Sequence, residues 1–234
     1  MTRVAIMQPT YLPWSGYFGL MHSVDLFIFL DSVQFARRSW QQRNQIKTAN
    51  GPQWLTVPVL AKGRRDQLIS EVEIDGTVNF AASHRGSIEM SYRKAPCFDT
   101  HAGSLLALLE SPGNRLADLT IGLILRLKAL MGISSRMLRS SELDGVGSKA
   151  DLLASLCQQV GATEYISPPG SREYLEASDA FAKIGVPVRY FEFIHPEYPQ
   201  RFGEFLPNMS CIDMLFNCGD RSLSLIESAC MVSE

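Results

Sequence analysis

This chain has no paired cysteines, no long apolar run and little net charge. Its five cysteines, Cys97, Cys157, Cys211, Cys218 and Cys230, are odd in number, and no pair has C-x-x-C spacing. That argues against a disulfide framework or a zinc site and for buried thiols. No His/Cys/Asp cluster has ligand spacing, so no metal is expected. No apolar run approaches membrane-spanning length, and the N-terminus lacks a signal peptide's apolar core. The expected location is the cytoplasm. The formal net charge of −2 gives no reason to expect duplex nucleic acid as a partner. A G-x-S-x-G elbow, a P-loop and G-x-G-x-x-G are all missing, which disfavours an ordinary esterase, a Walker-type ATPase and a standard NAD site. The sequence names no cofactor. It shows no internal repeat and no low-complexity tract.

The composition is that of a folded chain, with 46% apolar and 20% charged residues in 234. The reading is a single α/β domain over 1–234. Within it, 34–75 forms a basic segment plus a small β excursion, and 77–132 a helical insertion.

The chain is organised around Val4 to Asp31. Val4–Met7 and Leu26–Leu30 are short apolar runs bounded by turn residues, as in strands buried on both faces. The segment between them, with Tyr17–Met21 as its apolar part, has room for about two turns of helix. Strand, loop, helix and parallel strand make the unit that opens a doubly wound, mainly parallel, Rossmann-like sheet. Such sheets bind ligands at the carboxyl ends of their strands. Gln8, Pro9, Thr10, Tyr11, Trp14 and Asp31 fall at those ends.

From Ser32 to Arg65 there is no acidic residue, but there are seven basic ones: Arg37, Arg38, Arg43, Lys47, Lys62, Arg64 and Arg65. Phe35, Trp40, Trp54, Gln34 and Asn44 are interleaved with them. Arginine's planar fork suits phosphate and carboxylate. The segment reads as an anion pocket at the sheet's mouth, with a solvated basic face as the alternative.

Trp54–Val59 reads as a strand after the Asn50-Gly51 turn. Helices are expected at Thr77–Arg93, about His101–Glu110 and Arg115–Met131, the last with a stripe of leucines at helical spacing. Arg136–Leu143 reads as a strand. Ser148 and Asp151 have capping-box spacing before a helix that Gly161 ends. Glu164–Ser167, a helix at Arg172–Lys183 and Val186–Phe193 complete a second βαβ unit. Cys211–Cys218 is read as the last helix, with Ser210 and Asp213 as its capping pair. The aromatic loop before it carries His195, Tyr198 and Gln200. His195 and Tyr198 are the proton-transfer options there, with pinning of the loop as the alternative.

The blocks "AIMQPTYLPWSGYFGLM", "DLFIFLDSVQFARRSWQQRNQI", "WLTVPV", "YRKAP", "SSEL", "GATEYIS", "HPEYPQ" and "FLPNMSCIDMLFNCG" resemble the WbqC-like family over nearly the whole chain. Resemblance implies a glycine transferase of bacterial surface-polysaccharide (O-antigen) biosynthesis that adds glycine to an amino sugar. The opening unit is also similar to the nucleotidylyltransferase and pantothenate-synthetase group, although Trp14 and Tyr17 stand where that group has histidines. On these grounds the expected function is acyl transfer to a nucleotide-linked amino sugar. Asp31 or His195 would take the proton. Arg37, Arg38, Arg43 and Lys47 would hold the diphosphate, and Tyr11 and Trp14 would stack on base or sugar. Gly16, Gln34, Trp40, Asn44, Tyr198 and Gln200 complete the expected binding set. The expected partner is a small anionic substrate with an unspecified activated amino-acid donor. The alternatives are a nucleotide-dependent enzyme of adenylate-forming or nucleotidyl-transfer type and a non-catalytic nucleotide-sugar binder.

Overall fold

Val4, Ile6, Leu26 and Ile28 belong to one buried cluster, and their neighbours Ala5, Phe27 and Phe29 to another. Side chains alternate across a strand, so these two strands are covered on both faces. In the computed structural model, which describes residues 1–233, they are β1 (Arg3–Met7) and β2 (Leu26–Phe29), joined through α1 (Ser15–His22). They pair in parallel, Val4 beside Leu26 and Met7 beside Phe29.

A hairpin follows, β3 (Arg43–Thr48) with β4 (Gly51–Thr56), separate from the main sheet. Gly51, at φ 94°, supplies the turn that a side chain would strain. Next come α2 (Phe80–Tyr92), α3 (Phe98–Glu110) and α4 (Leu116–Leu130), then β5 (Arg136–Arg139), α5 (Ala150–Gln159) and β6 (Glu164–Ser167). The chain continues through α6 (Arg172–Glu176), α7 (Ala180–Lys183), β7 (Val188–Phe193), α8 (Cys211–Cys218), α9 (Ser222–Ala229) and β8 (Cys230–Ser233).

The main sheet has six strands in the order β5-β2-β1-β6-β7-β8. Counted along the chain, the sheet strands therefore run 3-2-1-4-5-6, a doubly wound order. All neighbours are parallel except β7 and β8. One face packs on α1, α2, α3, α4, α8 and α9 through Phe18, Met21, Leu105, Leu123 and Leu215. The other packs on α5, α6 and α7 through Leu153, Leu156, Leu175 and Phe181. The α/β, mainly parallel, Rossmann-like architecture expected from the sequence is the one the chain adopts.

Several local expectations are corrected. Ser148 does not cap α5. Gly147 and Lys149 both take positive φ, 89° and 49°, and the N-cap is Lys149, which makes no side-chain bond to the helix. Ser210 does cap α8 by position, but its Oγ is buried without a partner, and the Asp213 carboxylate is engaged by tyrosines instead. The expected helix at 172–183 is two short ones. Between them the Ser178 hydroxyl accepts the N–H of Ala180, a local bond that competes with helix continuation. β5 stops at Arg139 because the next two serines turn to bond Asp31. Cys211–Cys218 is not the last helix, since α9 and β8 follow it.

Candidate functional site

The strand order reverses between β1 and β6, and three adjoining cavities open at their carboxyl ends. Met7, the last residue of β1, borders all three. Their volumes are about 320, 320 and 140 Å³. Together they make the crevice that a doubly wound sheet offers to a ligand. Gln8, Thr10, Trp14, Gly16, Tyr17, Trp40 and Asn44 contribute to its walls.

The walls are stitched together by neutral hydrogen bonds. The N–H of Tyr11 donates to Trp40 O (2.9 Å), Gln41 Nε2 to Gln8 Oε1 (2.8 Å) and Asn44 Nδ2 to Leu12 O (2.6 Å). The segment from Trp40 to Asn44 is thereby clamped over the opening loop. Trp40, half exposed, lies 5.2 Å from Trp54, and the Arg43 guanidinium sits 4.3 Å over the Trp54 ring. Arg37 and Arg38 are exposed and precede the wall residue Ser39, but line none of the three cavities themselves.

Trp14 shapes the inner wall. Its indole lies across Gly16, where an added Cβ would come within 2.2 Å of Trp14 Cη2. Phe193 meets the indole edge-on at 5.3 Å, and His195 stacks on it at 6.3 Å. His195 Nδ1 is 3.1 Å from Pro196 O, and Nε2 is 3.2 Å from Ser15 Oγ. A carbonyl only accepts, so Nδ1 carries the proton and Nε2 is a free base facing the Ser15 hydroxyl. Burial lowers the His195 pKa below its ordinary value, partly offset by the bond to Pro196. The imidazole is thus neutral at pH 7 and able to accept a proton. No local pattern points to Ser15, since only the fold brings it to His195.

Other expected site residues stand elsewhere. Asp31 is fully buried and accepts from Arg139 Nε (2.7 Å), the Ser141 N–H (2.9 Å), Ser141 Oγ (2.9 Å) and Ser140 Oγ (3.2 Å). It ties the ends of β2 and β5 together rather than facing the crevice. Tyr11 is in the core, its hydroxyl 2.8 Å from His84 Nδ1. Gln34 is exposed and donates to Arg65 O. Lys47 is buried, with Nζ bonded to Gln200 Oε1 (3.1 Å) and to Glu204 O. Tyr92 and Tyr198 donate to the two oxygens of Asp213 at 2.8 and 3.0 Å. Burial raises the Asp213 pKa, while both tyrosines, Gln200 and Lys47 oppose the shift. Lys47, Tyr198 and Gln200 are therefore parts of one buried polar network that holds the aromatic loop.

Residues 8–225 match the model of the WbqC-like protein family. This chain belongs to the WbqC-like family. The uncharacterized protein Rv1507c of Mycobacterium tuberculosis is similar to it, 40% identical over 221 residues, which cover 94% of this chain and 95% of that protein. No solved structure matches. Among the described residues of this WbqC-like protein, no His/Cys/Asp/Glu group could hold a metal ion, and no helix is long and apolar enough to cross a membrane.

Proposed function

We infer that this WbqC-like protein transfers an acyl group, glycyl being the class the family resemblance implies, to the amine of a nucleotide-linked sugar bound in the switch-point crevice. The observation carrying the reading is the crevice lining. Trp14 and Trp40 offer aromatic faces for sugar or base, and Gln8, Thr10 and Asn44 offer neutral donors and acceptors. Among the described residues, no carboxylate or cation lines these cavities. Arg37 and Arg38, exposed and free of ion pairs among the described residues, are next in sequence to the wall residue Ser39 and would meet a diphosphate there.

In the reaction, the sugar amine attacks the carbonyl carbon of an activated aminoacyl donor. A C–N bond forms, the bond from the acyl carbon to the donor's leaving group breaks, and the amine loses a proton. Ser15 lies between the crevice residues Trp14 and Gly16 in sequence, and His195 stacks on Trp14. The proton passes through the Ser15 hydroxyl to His195 Nε2.

Incubation with a panel of nucleotide-diphosphate amino sugars and activated glycine donors should add one glycyl group, detected by mass spectrometry. Unchanged sugar mass across the whole panel, with sugar-nucleotide binding retained, would leave a binding protein and remove the transferase reading.

Gly16→Ala tests the site itself. The new methyl must push the indole off Gly16, and Phe193 and His195 block retreat behind it. The indole then swings into the crevice. Overpacking of this kind costs about 1–3 kcal/mol, so sugar-nucleotide affinity should fall roughly tenfold or more. Calorimetry and tryptophan emission check it, and unaltered values for both would contradict this geometry.

A further inference from the structure

The tip of the β3–β4 hairpin, α2 and residues 201–202 enclose a second groove of about 550 Å³, roomier than any crevice cavity. Its lining is separate from the crevice's, with no residue in common. The α2 side of it is made of small residues, Ala82, Ser83, Gly86 and Ser87. A Cβ at Gly86 would meet nothing within 4 Å, so the groove is open along this side.

Three cations line the groove, Arg93, Lys94 and Arg201, and no carboxylate does. None of the three has an ion pair among the described residues, whereas Arg85 on the same helix is paired with Glu89 and Glu110. Arg201 is the most constrained. Its guanidinium carbon lies 4.7 Å over the Phe202 ring, and Phe202 itself is in the left-handed region at φ 62°. An aromatic side chain adopts that conformation only when its surroundings hold it there. Arg201 Nε is buried with no hydrogen-bond partner, a group that is expensive to leave without an acceptor.

We propose that this groove is a binding site for a phosphorylated small molecule, its phosphate or diphosphate seated between Arg201 and the Arg93–Lys94 pair. Three cations exceed what one carboxylate would neutralise, and a diphosphate matches them. Arginine's fork meets phosphate oxygens in two parallel bonds. Asn50, Ser83 and Ser87 add neutral donors to the same space. The site does not depend on what the crevice does.

Calorimetry of the full chain with pyrophosphate and with inorganic phosphate tests it. Pyrophosphate is expected to bind, and more tightly than phosphate, with affinity that falls as salt rises. Arg201→Ala and the double variant Arg93→Ala/Lys94→Ala should each weaken pyrophosphate about tenfold or more. Arg126→Ala, an exposed cation on α4, should leave it unchanged. If circular dichroism shows that Arg201→Ala is unfolded, the exposed pair decides. Absence of binding to the wild-type chain, or equal loss in Arg126→Ala, overturns the proposal. Loss in an Arg37→Ala/Arg38→Ala variant, with the groove variants unaffected, would place the anion at the crevice mouth and overturn it as well.

Discussion

His195→Ala is expected to lower kcat for aminoacyl transfer by about 10²–10⁴-fold, the range for removing a general base. Sugar-nucleotide affinity should change far less, because His195 lines none of the cavities and meets the wall residues Trp14 and Phe193 by ring contact. The pH profile gives a sharper readout than the rate alone. Burial holds the imidazole below its ordinary pKa, so in the wild-type chain it stays neutral to a lower pH than a free imidazole would. Activity should therefore fall on the acid side only once pH drops through that lowered value. In His195→Ala that limb should vanish, leaving a flat residual rate. Ser15→Ala should cost less, about tenfold, and keep the acid limb, since water can stand in for the hydroxyl. Equal rates for wild type and His195→Ala would remove this side chain from the chemistry and return it to loop packing beside Tyr198 and Phe205.

The largest stability effect is expected at Lys47. Its ammonium is buried and held by Gln200 and a backbone carbonyl, and its positive field opposes the rise in the Asp213 pKa. Lys47→Ala removes the cation, empties the space of its stem and leaves Asp213 without its compensating charge. Breaking one side of a buried charge arrangement costs about 3–5 kcal/mol. In a chain of this size that lowers Tm by roughly 6–20 °C. Lys47→Met keeps most of the volume and should cost less. The gap between the two variants measures the cavity contribution separately from the charge. A Tm within about 2 °C of wild type for Lys47→Ala would show that the network is not a stabilising anchor.

The opening unit was legible because both its strands are continuous apolar runs and its helix fits between them. Such runs report burial on both faces without help from distant residues. Glu164–Ser167 was readable from its place between Gly161 and the Pro168-Pro169-Gly170 turn. β3 was not, because Arg43, Asn44, Gln45 and Lys47 have the polarity of a solvated loop. Its two inward polar residues are satisfied by groups far along the chain, Leu12 for Asn44 and Gln200 for Lys47. No local pattern announces such bonds. Asp31 shows the same limit. A carboxylate at a strand's carboxyl end has the position of a catalytic group, yet Arg139, Ser140 and Ser141 occupy it from the third strand of the sheet. The crevice itself was half visible. Gln8, Trp14, Gly16, Trp40 and Asn44 were named from the sequence, whereas Tyr174 and Asn208 reach it only through the fold.

The antiparallel course of β8 has one more result. Its register sets Cys230 beside Phe193 and Ser233 beside Tyr190, so the strand descends away from the ligand-binding rim. Ser233 stops level with Ser167, the last residue of β6, whereas Arg3 begins β1 three residues lower, beside Glu164. A fluorophore or immobilising tether at Arg3 would hang from the underside of the sheet. Surface-capture and single-molecule formats can therefore hold this molecule without crowding its entrance.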